Sequence, residues 1–408
     1  MTAHFPSRPV PGAPEVAAGP LLRRLSIRQF RNYADLLWEP AGRLVVISGA
    51  NGTGKTNLLE AVSLLTPGRG LRAARTETLA RTPDPTQGPA PPGTAWAVAG
   101  RFSAGGGSFD IATGAPTEGV SARRILWLDG AKPPSQTELA ARLAVLWLTP
   151  QMDRLFSGSP GGRRRFFDRL VWTLEPAHAR AIAGAEAATA RRNRLLAEGG
   201  ADPGWLGGLE AELARHAVAA TAARQTVLQR LAAATPANSP FPAARVTLRC
   251  PIAERLRSAP ALAVEDWLRE SLASARREDA RAGATGLGAH RADMTLADAE
   301  TGRGAELSST GQQKALLLGL ILAHAALVTA ERGAPPLLLL DEPAVHLDRS
   351  HRDALFAALR GYPGQALLTG VEREAFAPLA GAASALRIAA GALAPDPAFP
   401  GPEPRWRL

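Results

Sequence analysis

The sequence predicts an α/β fold that is interrupted by a mainly α-helical insertion. In the first and last thirds of the chain, short apolar runs typical of buried strands alternate with segments of helical spacing. Between residue 163 and about residue 283 the composition changes to Ala, Leu, Arg and Glu, with breaks at Gly and Pro, which indicates helices. At 408 residues the chain is too long for one compact core of ordinary size, so we expect two or three domains.

The first folded segment is rich in strands. The run Arg43–Ser48 is continuous enough to be buried on both faces of a sheet. The segment Lys55–Leu65 has apolar residues at helical spacing and ends before Pro67. A Pro- and Gly-rich segment at 83–93 is predicted to be a surface loop. The other strands predicted in this part are 22–28, 36–39, 95–102, 108–113 and 123–129.

The last third of the chain returns to alternating strands and helices. Strands are predicted at 294–299, 337–340 and 365–369, with helices that begin at Gly311 and Ser350. The Pro-broken N-terminus has no continuous apolar region of a secretory signal, and we interpret it as a disordered leader. The predicted domains are the leader at 1–20, a head formed by 21–158 and 286–408, and a helical arm at 159–285.

Composition limits the classes of partner. With 47 basic and 37 acidic side chains the net charge is +10, which favours a polyanionic partner, nucleic acid before membrane surface. The chain has only three lysines and is rich in Ala, Arg, Gly and Pro, so compositional bias explains the charge about equally well. The single cysteine, Cys250, is expected to be a small core residue in a reducing cytoplasm. The apolar stretch 315–330 falls short of a bilayer span, so we expect a soluble protein without a membrane partner.

A phosphate-binding loop lies between a predicted strand and a predicted helix. Residues 49–56 fit the pattern G-x-x-x-x-G-K-[ST] in the context that this pattern requires. The glycines let backbone N–H groups turn toward phosphates, Lys55 reaches the β and γ phosphates, and the Thr56 hydroxyl ligates Mg²⁺. The sequence therefore predicts binding of ATP with Mg²⁺, and the nucleotide-binding residues are Gly49, Ala50, Asn51, Gly52, Thr53, Gly54, Lys55, Thr56 and Asn57.

Two adjacent carboxylates end the apolar strand at 337–340. Asp341 is placed to hold Mg²⁺, and Glu342 is placed to polarise the attacking water as a general base. Two acidic residues after a strand are a weak signal alone, but together with the phosphate loop they predict ATP hydrolysis.

Small hydroxyl residues and a glycine precede the helix that begins at Gly311. Ser308, Ser309 and Thr310 could form an anion site at a helix N-terminus or an ordinary helix cap. Their position before Asp341 favours the anion site, because phosphate loop, signature and acidic pair in this order resemble the ABC-type ATPases.

The ABC resemblance adds roles for further residues. It implies that the signature residues Ser309, Gly311 and Gln312 cover the γ-phosphate that a second subunit holds. It implies that Asp348 belongs to the D-loop. It also implies that Gln151, after the apolar run 145–148, is the Q-loop glutamine that contacts Mg²⁺ and the attacking water.

Within the ABC-type ATPases the chain resembles the RecF family of bacterial recombinational repair proteins. The matching segments span nearly the whole chain in the expected order: 30–33 (FRNY), 51–61 (NGTGKTNLLEA), 158–160 (GSP), 163–168 (RRRFFD) and 309–314 (STGQQK). The resemblance implies an ATPase head interrupted by a helical arm. It also implies an ATP-dependent homodimer that binds double-stranded DNA near gapped sites and helps RecO and RecR to load RecA.

The chain departs from the family pattern in two places. Ala289 and Ala292 flank His290-Arg291, where the family usually has Gly-Pro-His-Arg-Asp-Asp, which weakens any role for His290. Thr369 stands where transporter ATPases carry a switch histidine. Losing that histidine is similar to the DNA-repair branch and leaves Glu342 as the main base.

Arginine clusters and two rival functions remain open. Clusters at 163–165, 191–194 and 276–281 could contact DNA phosphates or be solvated helix faces, and Arg72 and Arg75 could contact nucleotide or the partner subunit. An SMC-type DNA tether would need long heptad arms, and the insertion is short and broken by Gly and Pro. The helical insertion and the missing histidine argue against a transporter ATPase subunit.

Overall fold

The structure is a computed structural model that describes residues 19–82, 94–115, 124–133, 135–199, 202–234, 239–389, 391–399 and 401. The loop predicted at 83–93 and residues 1–18 of the predicted leader lie outside this part of the chain. The last two leader residues, Gly19 and Pro20, are buried, which corrects the predicted start of the fold. A Cβ on Gly19 would lie 2.5 Å from the Pro335 carbonyl oxygen, so this residue already packs against the head.

The described residues form strands and α-helices in the following chain order. The strands are β1 (Leu21–Phe30), β2 (Tyr33–Trp38), β3 (Leu44–Ser48), β4 (Trp96–Ala104), β5 (Gly107–Ala115), β6 (Ile125–Leu128), β7 (Val145–Leu148), β8 (Ala244–Arg249), β9 (Asp293–Asp298), β10 (Leu337–Asp341), β11 (Ala366–Gly370), β12 (Ser384–Ala389) and β13 (Ala392–Pro395). The helices are α1 (Lys55–Ser63), α2 (Gln136–Arg142), α3 (Pro160–Leu174), α4 (His178–Glu198), α5 (Pro203–Ala234), α6 (Pro251–Leu256), α7 (Ala261–Ser274), α8 (Arg276–Ala282), α9 (Thr310–Arg332) and α10 (Arg349–Arg360).

A mostly parallel sheet organises the head. Its strand order is β13-β12-β3-β11-β10-β7, and only the edge pair β12 and β13 is antiparallel. Every residue of β3, β7, β10 and β11 is buried, as expected for parallel strands covered on both faces. The carboxyl ends of these four strands lie at one edge of the sheet, which is where ligands bind in open α/β sheets.

An antiparallel sheet with the order β2-β1-β4-β5-β6 packs into the same core as the parallel sheet. The turn between β1 and β2 and the C-terminal end of β3 therefore come close together, and this places residues 30–33 beside the loop that follows β3. The α/β head predicted from the sequence is confirmed, with most predicted strands shifted by one to three residues at their ends.

The arm has a hydrophobic core of its own. Leu213, Ala217, Val264 and Leu268 are among its buried residues, and Cys250 lies there as predicted. The arm is mainly helical, but it also contributes β8, which pairs with β9 and was missed by the sequence reading. The predicted arm limits, 159–285, remain a prediction.

Helix α9 is the most apolar helix in the described residues. It has 23 residues, so by length and composition it could cross a membrane, which corrects the prediction that the apolar stretch 315–330 was too short. Inside the protein 67% of its most apolar window is buried, and its leucines belong to the main core. The helix therefore serves as a core element that carries the signature residues at its N-terminus.

Candidate nucleotide-binding site

The phosphate loop connects β3 to α1 and is open on the outside. Gly52 has φ +81° and a Cβ there would meet nothing within 4 Å, whereas Gly54 has φ +113° and a Cβ would lie 2.3 Å from Asn32 Nδ2. Asn51 and Gly52 are exposed, and α1 begins at Lys55. A concave loop at a helix N-terminus fits a phosphate chain, because backbone N–H groups and the helix dipole favour negative charge there.

The turn between β1 and β2 holds this loop in shape. Asn32 Nδ2 donates to the Thr53 carbonyl (3.1 Å), and the Tyr33 hydroxyl donates to the Gly54 carbonyl (3.0 Å). Asn57 Nδ2 donates to Asn32 Oδ1 (2.7 Å). Burial raises the pKa of the Tyr33 hydroxyl, which keeps it a donor. In the sequence these residues carry only the family resemblance, and their contact with the loop is visible only in the structure.

Lys55 points its ammonium group into the loop. Its Nζ donates to the carbonyls of Gly49 (2.7 Å) and Ala50 (2.9 Å), and the residue is only 5% exposed. Burial lowers the pKa of Lys55, and the nearby charges of Glu342 and Asp341 oppose that shift. The carbonyl contacts keep the charge at the place where phosphate oxygens are expected.

Two of the three predicted Mg²⁺ ligands, Thr56 and Asp341, lie within hydrogen-bond distance of each other. Thr56 Oγ1 donates to Asp341 Oδ2 (2.8 Å), and Thr369 Oγ1 donates to Asp341 Oδ1 (2.6 Å). No group of three or more His, Cys, Asp or Glu side chains suited to a metal occurs among the described residues. One hydroxyl and one carboxylate fit Mg²⁺, which commonly takes few protein ligands and completes its shell with water and substrate phosphates.

Glu342 follows directly and has an unusual backbone. Its φ is +50°, in the left-handed region that residues other than glycine seldom adopt. Its N–H donates to both the carbonyl (3.1 Å) and the hydroxyl (3.2 Å) of Thr369. Thr369 therefore contacts both acidic residues from the end of β11. The sequence showed only that Thr369 replaces the switch histidine of transporter ATPases and did not indicate these contacts.

Gln151 lies at the same sheet edge as the acidic pair. It belongs to the short turn Pro150–Arg154 that follows β7, and Leu148 of β7 pairs with Leu340 of β10. Its side chain is exposed and lines a cavity of about 740 Å³. This placement agrees with the predicted Q-loop position, and the contact with Mg²⁺ stays a prediction.

The signature residues cap helix α9. Ser309 Oγ accepts from the Gln312 N–H (3.3 Å), and the Gln312 side chain accepts from the Ser309 N–H (3.0 Å), which is a capping box. Both residues are exposed. A Cβ on Gly311 would lie 2.6 Å from the carbonyl oxygen of His346 in the predicted D-loop. Signature and D-loop therefore form one contiguous surface.

Asp348 caps α10. Its carboxylate accepts from the His351 N–H (2.9 Å) and from the Ser350 hydroxyl (2.7 Å). These hydrogen bonds hold the pKa of Asp348 well below its usual range, so it stays an anion. Its side chain is exposed, and its contact with nucleotide stays a prediction.

Arg72 lies on the nucleotide side of the head. It pairs with the buried Glu60 (3.1 Å) and donates to Asn57 Oδ1 (2.5 Å), while Arg31 also pairs with Glu60 (2.8 Å). Because Glu60 and Asn57 belong to α1, these contacts place Arg72 beside the helix that follows the phosphate loop. A contact of Arg72 with the nucleotide or with the partner subunit stays a prediction.

Several arginines that the sequence offered as DNA contacts make hydrogen bonds or ion pairs within the protein. Arg163 pairs with Asp293 through two hydrogen bonds (2.8 and 2.9 Å), and Arg164 donates to the Ala292 carbonyl (2.7 Å). Arg192 is fully buried, and Arg276 pairs with Glu210 in the arm. Burial excludes Arg192 as a DNA contact. Arg163, Arg164 and Arg276 are partly exposed, and their contact with DNA stays a prediction. The exposed arginines of the clusters are Arg165, Arg191, Arg194, Arg277 and Arg281.

His290 makes a backbone contact where the predicted arm meets the predicted head. Its Nε2 contacts the Thr285 carbonyl (3.0 Å), and burial lowers the pKa of His290. Arg291 donates to the same carbonyl oxygen (3.0 and 2.9 Å). We assign His290 a structural contact at this turn.

Comparisons with known proteins agree with this fold over most of its length. Residues 21–382 match the family described as RecF/RecN/SMC N terminal domain. The chain is 43% identical over 379 residues to the DNA replication and repair protein RecF of Rhizobium etli, covering 91% of this chain and 97% of that protein. It is 42% identical over 378 residues to the protein of the same name from Mesorhizobium japonicum, covering 92% and 97%.

Solved structures share the fold of this chain. The structure of the recombination mediator protein RecF with ATP, in the RecFOR pathway, has a TM-score of 0.77 at 21% identity and covers 94% of this chain and 100% of that one. An Smc head domain with an extended coiled coil from Pyrococcus furiosus, bound to a ScpA domain, has a TM-score of 0.51 at 15% identity, covering 92% and 95%. The ABC-type head predicted from the sequence is confirmed.

Proposed function

The chain belongs to the RecF family, and on that premise we propose that it is a recombination mediator of DNA replication and repair that binds and hydrolyses ATP as a homodimer on DNA. The observation that carries the proposal is the contact between Thr56 and Asp341 (2.8 Å), next to the phosphate loop and immediately before Glu342. It brings the elements of an ATP-hydrolysing site to one sheet edge from segments far apart in the chain.

The residues divide the work of hydrolysis. Lys55 compensates the charge of the β and γ phosphates, and Thr56 and Asp341 hold Mg²⁺, which supplies further charge neutralisation when bound. Glu342 accepts the proton of the attacking water, and Gln151 helps to orient that water. Each of these side chains lies in or beside the loops at the carboxyl ends of β3, β7 and β10.

A second copy of the chain completes the site. Ser309 and Gln312 are exposed at the start of α9, where they are available to the γ-phosphate of a partner. Two large apolar side chains nearby are unusually exposed: Leu307 by 68%, just before the signature, and Val345 by 40%, in the D-loop. Exposed apolar groups beside an exposed anion site fit an interface that closes over ATP.

The proposed DNA partner is double-stranded and gapped DNA. The net charge of +10 and the exposed arginines of the arm supply cations for phosphate contacts, which bind without base specificity. Through its family we further propose that the protein acts in the cytoplasm with RecO and RecR to load RecA on single-stranded gaps. An SMC-type tether is less well supported, because the arm packs around a compact core of its own.

The proposed function is tested by nucleotide-dependent assembly. We expect sedimentation velocity to show dimers with ATP and monomers without it, and duplex DNA to favour the dimer. Lys55→Met should abolish the ATP-dependent dimer, and Lys132→Met is the matched control because Lys132 is an exposed lysine outside the site. A folded Lys55→Met protein that still dimerises with ATP would contradict the assignment.

The sharing of the site between two copies has its own test. Ser309→Arg should abolish dimerisation and hydrolysis while monomers still bind ATP. A mixture of Ser309→Arg and Lys55→Met chains should regain one good site in each heterodimer. No recovery of hydrolysis in the mixture would show that the site works within one chain.

Base and metal ligand are separated by neighbouring substitutions. Glu342→Gln should bind Mg-ATP, form long-lived dimers and lose hydrolysis by a factor of about 100 or more. Asp341→Ala should weaken binding of Mg-ATP itself. Hydrolysis at the parent rate by Glu342→Gln would remove Glu342 from the mechanism.

A further inference from the structure

Lys314 is a completely buried lysine on the signature helix. It is 0% exposed, and its Nζ donates to the backbone carbonyl of Glu342 (2.9 Å) and lies 3.3 Å from Asp153 Oδ2. Nothing in the proposed chemistry uses it so far. Its contacts nevertheless join three parts of the site: the signature helix, the acidic pair and the turn that carries Gln151.

The carbonyl that Lys314 contacts belongs to the residue with the left-handed backbone. Glu342 is fixed on its N–H side by Thr369, and Lys314 fixes it on its C=O side. Residues other than glycine keep such a conformation only where their surroundings determine it. The direction in which the Glu342 carboxylate leaves the sheet therefore depends on both hydrogen bonds.

Asp153 connects the lysine to the predicted Q-loop. It lies in the turn Pro150–Arg154, two residues after Gln151, and is itself buried. Its second carboxylate oxygen, Oδ1, is buried without a hydrogen-bond partner in the structure. The ion pair thus spans 161 positions of sequence and leaves one polar atom unsatisfied.

Stability does not account for this arrangement. A buried ion pair must repay the loss of hydration of both charges, and its net contribution to folding is commonly small or unfavourable. Burial lowers the pKa of Lys314 and raises the pKa of Asp153, so desolvation disfavours the charged form of each group. A positioning role explains what a stabilising role does not.

We propose that Lys314 is a positioning residue that fixes the backbone of the general base Glu342 and makes its position depend on the signature helix. This inference rests on the proposed function, because it assumes that Glu342 is the base and that Ser309 meets the partner's ATP. Ser309 and Lys314 are five residues apart on one helix, about 7.5 Å along its axis. When Ser309 binds the ATP held by the partner, the shift of its helix would therefore also position Glu342, the base that acts on the ATP held by its own chain.

The first test separates positioning from binding. Lys314→Met keeps the length of the side chain and removes the donor. We expect kcat for ATP hydrolysis to fall by about 100-fold, the scale of a misplaced catalytic group, with the dissociation constant for ATP changed less than about twofold. ATP-dependent dimerisation should persist. Hydrolysis by Lys314→Met within about twofold of the parent would overturn the proposal.

The second test asks whether the loss goes through Glu342. In the Glu342→Gln background, Lys314→Met should lower the remaining rate by less than about threefold, because a base that is absent can no longer be misplaced. Full additivity of the two losses would show that Lys314 acts elsewhere. This readout distinguishes positioning from a general weakening of the fold, which would add to any other loss.

Asp153→Asn is the matched control. It removes the ion pair and keeps the bond between Lys314 and the Glu342 carbonyl, so kcat should fall by less than about fivefold. A loss as large as that of Lys314→Met would refute the role of the carbonyl contact. If Lys314→Met folds poorly, the double variant Lys314→Met, Asp153→Asn replaces it, because it leaves no lone buried carboxylate. Its kcat should fall by the same factor of about 100.

The failures are distinguishable. If the parent protein neither dimerises with ATP nor hydrolyses it, the proposed function fails and the Lys314 variants have no rate to change. If the parent does both and Lys314→Met retains kcat, only the further inference fails.

Discussion

Removing Arg192 should destabilise the arm, because the arm encloses a charge network that this residue completes. Its guanidinium donates to Glu210 (3.1 Å), to Asp279 (2.6 Å), to the Thr285 hydroxyl (2.9 Å) and to the Leu272 carbonyl (2.7 Å). The side chains of Arg192 and Glu210 are 0% exposed. The substitution to make is Arg192→Met, which keeps the bulk of the side chain and removes the charge.

The magnitude follows from what remains after the change. Glu210 keeps Arg276, which pairs with it through two hydrogen bonds (2.9 and 2.5 Å). Among the residues that the structure describes, Asp279 keeps only the Gly286 N–H (2.8 Å) and becomes a buried carboxylate without a counter-charge. One such orphaned charge costs about 3 to 5 kcal/mol. Against a typical total of roughly 5 to 15 kcal/mol, this is a large share of the stability of one domain.

Arg191 is the matched control, one position away. Its side chain is 64% exposed and lies 3.9 Å from Glu212, so Arg191→Met should cost between about 0 and 1 kcal/mol. Urea denaturation followed by hydrogen exchange in α4, α7 and α8 measures both variants, with β3 in the head as an internal reference. The reasoning is refuted if Arg192→Met lowers the free energy of unfolding by less than about 1 kcal/mol.

Three further predictions follow from the same structure. Burial lowers the pKa of His324 from 6.5 to about 4, so the folded protein favours the neutral ring. The contribution of this residue to stability is complete above pH 6.5 and falls by about 3 kcal/mol as the pH drops to 4. Thermal denaturation of His324→Gln over that range should show a smaller loss of stability than the parent. Gly311→Ala places a Cβ 2.6 Å from the His346 carbonyl oxygen, so analytical ultracentrifugation should show loss of the ATP-dependent dimer while ATP binding to the monomer persists. Duplex affinity over a salt series should have a slope that flattens by about one unit for each contacting arginine lost, and Arg165→Ala with Arg194→Ala tests this; an unchanged slope would remove this face as the DNA contact.

The phosphate loop and the acidic pair were predictable because each is a short segment whose chemistry is local. Residues 49–56 carry their own turn, their own helix N-terminus and their own ligands, so a pattern of adjacent letters describes them. Asp341 and Glu342 follow a strand that is apolar without interruption. The mainly parallel head followed from the same runs of apolar residues.

The contacts that shape the site were not predictable in this way. Thr369 reaches Asp341 across 28 positions and Lys314 reaches Asp153 across 161, and no periodicity reports such pairs. One signal existed for Lys314: the chain has only three lysines among 47 basic residues, and one of them is Lys55 of the phosphate loop. The third, Lys132, is exposed outside the site, so the scarcity of lysine narrows the search without singling out Lys314.

The sequence also does not show which arginines of a cluster are buried and which are exposed. Arg191 and Arg192 are identical neighbours in the sequence, yet one is exposed and the other is sealed inside the arm. Helical rotation decides between them, and the phase of α4 depends on packing against α5 and α8 that composition does not contain. The strands β8, β12 and β13 escaped prediction for a related reason, since their pairing partners lie far away in the sequence or at the edge of the sheet.

Helix α5 runs through both hydrophobic cores as one continuous element. Leu213 and Ala217 lie in the core of the arm, and Leu231 lies in the core of the head. At 32 residues the helix is about 48 Å long. It acts mechanically as a lever: a tilt of about 5° at its head end displaces the far end by about 4 Å. A small rearrangement in the head would thereby become a displacement of several ångströms at the far end of the arm.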